Sequence, residues 1–243
     1  MNSDILDGIL LVNKPQWMTS HDVISKLRKL WRIEKIGHAG TLDPMATGLL
    51  IVLIGRATKI SQQLITLPKC YGGTMKLGAS TDSHDIEGTV IKTGEVKGIT
   101  MENIQAMAKE FIGEQQQIPP MFSAKKINGQ KLYKLARKGK TIEREPQLIS
   151  VDKFEIVDFS NDEVKFFIHC SKGTYVRTIV NDFGERLQCG AHLIQLCRTA
   201  IGDFSLGNAL TIEQITAMPP GELARQLVIL RESFTRKFLG KKI

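Results

Sequence analysis

Only four cysteines, Cys70, Cys170, Cys189 and Cys197, stand among 243 residues, and none forms a CxxC pair. With five scattered histidines they offer no ligand set at zinc-binding spacing, so no metal site is expected and the thiols read as reduced and structural. Long apolar runs are lacking too. The longest covers residues 49–54, against roughly 20 residues for a membrane-spanning helix. The start carries Asp4 and Asp7 ahead of a short apolar stretch at 9–12, whereas a secretory signal opens on basic residues and a longer apolar segment. A cytoplasmic protein without a membrane association is therefore expected. Internal repeats and low-complexity linkers are absent as well, which favours one main body over an array.

What is present is an ordinary globular composition, 42% hydrophobic and 24% charged, with a formal net charge of +8. That composition argues against a disordered chain, and the excess of cations favours a polyanionic partner, nucleic acid first. Residues 8–12 predict a short buried strand. Thr19 and Asp22 predict a capping box for a helix whose Val23, Ile24, Leu27, Leu30 and Trp31 share one face. Residues 37–48 then predict a loop and 49–54 a second buried strand. Strands are expected at 71–77 and 88–93, a helix opening at Thr100, a strand at 164–170 and a helix carrying Val176, Ile179, Val180, Phe183 and Leu187 on one face. Irregular interleaving of strands and helices predicts an α+β body.

Three segments concentrate chemistry. Residues 37–48 hold three glycines, one histidine and Asp43 between a basic helix and an apolar strand. The spacing fits neither GxGxxG nor GxxxxGK[ST], and a central carboxylate repels phosphate. Two readings remain open: glycines that let a ligand approach the backbone beside Asp43, or an ordinary Asp-Pro turn. Residues 125–140 carry seven cations and no acid, a field suited to a phosphate backbone or simply a solvated face. Residues 170–177 turn from strand end to helix start, where backbone N–H groups favour anions and Tyr175 and Arg177 can face one pocket. Tyr71 beside a Gly-bearing turn is a possible stacking surface for a base.

Together, residues 13–15, 37–48 and 170–177 resemble the TruB family of tRNA pseudouridine synthases. The resemblance extends through Lys69, Tyr71, Asp82, Asp85, Gly88, Ser123, Lys125, Tyr133, His192, Leu196 and Arg198. It implies a pseudouridine synthase fold with a mixed, largely antiparallel central sheet flanked by helices and loops. It implies a cofactor-free, metal-free isomerase acting on uridine 55 in the T-loop of tRNA, with the T-arm as partner. A monomer is the default expectation, since no coiled-coil pattern is sustained over heptads. Asp43 would be the catalytic carboxylate, attacking the sugar or removing its proton. Arg177 would pair with it, and Tyr71 would stack on the flipped base. Lys14 and Pro15 would buttress the pocket, Tyr175 and Leu196 would wall it, and His38 would fill the opened T-loop. Gly40 and Thr41, with Lys125, Lys126 and Lys131, would meet RNA. A catalytic domain is expected over 1–210, with a short basic helical tail over 211–243 in place of a complete PUA domain. Gly72 and Gly73 depart from the family's larger residues and predict a pliable strand. Two other readings fit parts of the pattern: an RNA-binding module without turnover, or a base-excising glycosidase that releases uracil.

Overall fold

The computed structural model describes residues 7–127, 129–219 and 221–227. The first stretch comprises β1 (Gly8–Lys14), α1 (Ser20–Trp31), β2 (Ile36–Ala39), β3 (Thr47–Ile54), α2 (Ser61–Ile65) and β4 (Lys69–Leu77). Next come β5 (Ala79–Thr81), β6 (Val90–Thr93), α3 (Met101–Glu110), β7 (Gly113–Gln117), β8 (Lys126–Ile127), β9 (Gln130–Lys131) and α4 (Leu132–Ala136). The chain continues through β10 (Gln147–Ser160), β11 (Glu163–Cys170), α5 (Val176–Arg186) and β12 (Ala191–Ile201). Last are β13 (Phe204–Ser205), β14 (Leu210–Thr211), α6 (Ile212–Ala217) and α7 (Leu223–Gln226). The fold is mixed α and β, with a large, mostly antiparallel sheet flanked by helices. Two units divide the chain: residues 1–69 with 197–243, and residues 70–196.

In the first unit the apolar run of β3 explains itself. Leu49, Ile51 and Leu53 join one buried cluster with Ile9, Leu11, Ile60, Leu64 and Phe204. Leu50, Val52 and Ile54 join another with Leu10, Val12, Val23, Ile24, Leu27, Ile212 and Ile215. A strand covered on both faces needs no polar alternation. Its edges are filled too: β1 runs antiparallel along one side, from Gly8 opposite Ile54 to Lys14 opposite Gly48. Along the other, β2 pairs at 51–54 and β12 at 47–48. Gly48 has φ +98°, and a Cβ there would meet the Arg198 carbonyl oxygen at 2.4 Å, so β12 approaches only because the side chain is missing.

The predicted capping box is present: Thr19 Oγ1 accepts from Asp22 N at 3.0 Å, and Asp22 Oδ2 from Thr19 N at 2.9 Å. Val23, Ile24 and Leu27 are buried as expected, but Leu30 is 41% exposed. The helix ends one residue after it, in the left-handed cap at Arg32, and Trp31 and Ile33 rather than Leu30 pack against the buried cluster. The loop expected at 37–48 begins later, because residues 36–39 form β2. Gly37 and His38 carry no strand pattern of their own, and the open edge of β3 recruits them. Downstream, Ile212, Ile215, Leu223 and Leu227 are buried against β1, α1 and β3. Residues 228–243, within the predicted tail, lie outside the described residues.

The second unit orders its strands β4-β11-β10-β7, with α3 capped by Thr100 and Asn103. Its centre is an aromatic cluster: Phe154 meets Phe111, Phe166 and Phe183 edge-on at 6.2, 5.5 and 5.8 Å between ring centroids. A Cβ on Gly73 would fall 2.5 Å from the Phe166 ring, so this glycine of β4 makes room for core packing. The strand expected at 88–93 starts at Val90 and pairs with β5 in a separate two-stranded sheet. Among the described residues, no helix is long and apolar enough to cross a membrane.

Candidate active site

In the first unit, residues 40–46 join β2 to β3 and carry half-buried Asp43. Both of Asp43's chain neighbours are pinned. Ser20, at the first position of α1 and 1% exposed, donates its hydroxyl to Leu42 O at 3.2 Å and accepts Leu42 N at 2.9 Å. Pro44 O accepts Trp17 N at 2.8 Å and the Lys14 ammonium at 3.3 Å. Lys14 is fully buried, and its ammonium also donates to Pro15 O and Met18 O at 2.9 and 2.7 Å. One buried cation thus ties the turn before α1 to the turn after Asp43. Ala46 N closes the segment on Asp43 O at 3.1 Å. Gly40 is half-buried and Thr41 exposed. His38 lies on β2; burial first, then the charges of Arg198 and His21, hold its imidazole below the usual range, so the neutral ring is favoured.

In the second unit, Tyr71 is buried on β4 and Leu196 on β12. Arg177 sits in the first turn of α5, 3% exposed. Its guanidinium donates to Ser83 O at 3.0 Å and Phe122 O at 2.5 Å, and lies 3.7 Å from the Asp85 carboxylate. Asp85 accepts Ser83 Oγ at 2.5 Å and Glu87 N at 3.1 Å. A buried charge is tolerable when its partners are assembled in this way. Tyr175 is the N-cap residue of α5 without a side-chain cap. Instead Gln117 grips its backbone twice, accepting Tyr175 N at 2.9 Å and donating to Tyr175 O at 3.1 Å. The tyrosine ring lies 5.9 Å from the Arg177 guanidinium. His84, at φ +67°, sets Nδ1 3.3 Å from Thr178 Oγ1. Burial, then the Arg177 and Arg144 charges, push it down to about 4, against a smaller opposing pull from Asp82.

A family profile for "TruB family pseudouridylate synthase (N terminal domain)" matches residues 28–176. The chain belongs to the TruB family. A second profile, "tRNA pseudouridylate synthase B C-terminal domain", matches residues 177–227. The tRNA pseudouridine synthase B of Opitutus terrae is 52% identical over 223 residues, covering 92% of each chain. That of Francisella philomiragia is 46% identical over 86% of this chain and 70% of its own. Among solved structures, a Cbf5-Nop10-Gar1 complex matches with a TM-score of 0.69 at 26% identity. This chain is covered over 98% of its length and spans 58% of that one.

Set against the TruB resemblance, the first unit gathers Lys14, Pro15, His38, Gly40, Thr41 and Asp43, and the second holds Tyr71, Lys125, Tyr175, Arg177 and Leu196. Lys125 reaches Gln147 Oε1 at 3.3 Å, and Gln147 donates to Gly173 O at 2.9 Å. Lys126 and Lys131 pair across the β8–β9 hairpin. The short α4 follows, with Leu132 buried and Lys134, Arg137, Lys138 and Lys140 exposed on or beyond it. Sequence reasoning missed Ser20, Asp85, Gln117 and Arg198 as structural partners of these residues. An available signal was the lone arginine inside the strand-forming stretch 191–201. Among the described residues no group of three or more His, Cys, Asp and Glu side chains could hold a metal ion.

Proposed function

We propose that this chain converts uridine to pseudouridine in the T-loop of tRNA, at position 55, acting as a cytoplasmic monomer without metal or organic cofactor. The uridine leaves its stack, at a cost of a few kcal/mol. The bond between uracil N1 and sugar C1′ then breaks, the base turns, and C5 bonds to C1′. The C5 proton departs and N1 gains one, so the product is an isomer of the substrate. Asp43 supplies the anion that meets positive character at the sugar. Tyr71 stacks on the base, Tyr175 and Leu196 wall the pocket, and Arg177 supplies positive charge. Lys14 and Pro15 buttress the Asp43 turn. His38, Gly40, Thr41, Lys125, Lys126 and Lys131 contact RNA.

The observation that carries this reading, beside the family, is the double pinning of Asp43 by Ser20 on one flank and Lys14 on the other. An ordinary turn has no need of a buried ammonium. The test uses a T-arm hairpin tritiated at uridine C5. The expected result is tritium release at one equivalent per site, with no free uracil. Free uracil would indicate a glycosidase, and binding without tritium release would leave an RNA-binding module; either overturns the proposal.

A further inference from the structure

Arg198 is among the largest fully buried side chains, at 1% exposed. Its guanidinium donates Nε to Leu49 O at 2.8 Å, Nη2 to Gly40 O at 2.8 Å and Nη1 to Thr41 O at 3.4 Å. Two acceptors precede Asp43 and one follows it, so a single planar group bridges both ends of the loop. The same residue pairs through its backbone with Gly48. A Cβ on Gly40, at φ +81°, would come within 3.4 Å of Nη1. Arginine cannot shed its proton, and a buried cation is a poor source of stability compared with a well-packed apolar side chain. What the arrangement delivers is a fixed path for the chain between residues 40 and 49.

We propose that Arg198 is a positioning residue for the isomerisation: by bonding three carbonyls across the loop mouth, it holds Asp43 in the geometry that reacts. This rests on Asp43 being the reacting carboxylate. Arg198, buried with its donors spent on these carbonyls, acts through the loop and not on the substrate. Lysine carries the same charge but lacks the fork, and its one ammonium cannot reproduce the rigid planar set of donors. A misplacement of about 1 Å at a reacting group costs roughly 100-fold in rate.

The experiment compares Arg198→Lys, Arg198→Gln and Asp43→Asn on one T-arm hairpin, measuring single-turnover rate, Kd and amide hydrogen exchange. For Arg198→Lys the rate is expected to fall about 100-fold while Kd stays within about threefold. The Leu42 and Ala46 amides should exchange at least about tenfold faster, with those of β1 unchanged. A rate within about threefold of the native protein overturns the proposal, as does a loss of rate matched by faster exchange throughout β1. If Asp43→Asn turns over normally, the catalytic reading itself fails and the positioning role with it. If only the 198 variants turn over normally, the positioning role alone fails. Should the 198 variants not fold, Gly40→Ala crowds one arm of the clamp and leaves the arginine in place. Its single-turnover rate at saturating hairpin should then fall about tenfold, and an unchanged rate overturns the proposal.

Discussion

Residues 40–46 and residues 125–140 are both proposed to meet RNA, and they are built on opposite plans. The first segment carries one charge of interest, and the residues around it are fixed by buried donors: the Ser20 hydroxyl, the Lys14 ammonium and the Arg198 guanidinium. The second carries seven cations, rests on buried Leu132 and shows Lys134, Arg137, Lys138 and Lys140 to solvent. The difference separates two physical tasks. Bond breaking needs a carboxylate held within a fraction of an ångström, whereas gripping a polyanion needs charge and tolerates motion. Buried cations in this protein therefore shape backbone, and under the proposed function exposed ones meet phosphate.

Several changes would break or sharpen that contrast. The largest effect is expected for Asp43→Asn, a loss of at least about 100-fold in single-turnover rate at unchanged hairpin affinity, read by rapid quench. Next comes the triple replacement of Lys134, Arg137 and Lys138 by Ala. It should weaken binding about tenfold at low salt and flatten the slope of log affinity against log salt by about 0.7 to 0.9 per lost phosphate contact, with the saturated rate intact. Ser20→Ala leaves the Leu42 N–H and carbonyl without their partner and should cost about 1–3 kcal/mol in urea unfolding. Its rate should fall more than its affinity.

The last effect concerns His84, held near 4 in the fold against an ordinary value of about 6.5. Between those values the unfolded chain binds the extra proton, so stability falls as pH drops from 6.5 toward 4 and is fully present above 6.5. His84→Asn, which tolerates the positive φ, should reduce the stability lost between pH 7 and 4.5 by up to about 2 kcal/mol.

Local patterns were readable in advance. The Thr19–Asp22 box, the apolar run of β3 and the buried face of α5 each declare themselves within a few residues, because capping and periodicity are short-range. The motifs around Asp43, Tyr71 and Arg177 were legible through family resemblance. What fixes them was not. Ser20 reaches Leu42 over 22 positions, Gln117 reaches Tyr175 over 58 and Arg198 reaches Gly40 over 158. Such bonds exist only after the strands pair, and nothing in the periodicity of either partner announces them. The same holds for β2, where Gly37 and His38 become strand because β3 offers a free edge.

The central claim, that one segment reacts and the other grips, is tested most directly by measuring single-turnover rate and Kd for Asp43→Asn and the Lys134/Arg137/Lys138 triple variant on the same T-arm hairpin. The account predicts that the first loses rate and keeps affinity, while the second loses affinity and keeps its saturated rate. A triple variant that binds normally but reacts slowly, or an Asp43→Asn protein that reacts normally, would contradict it.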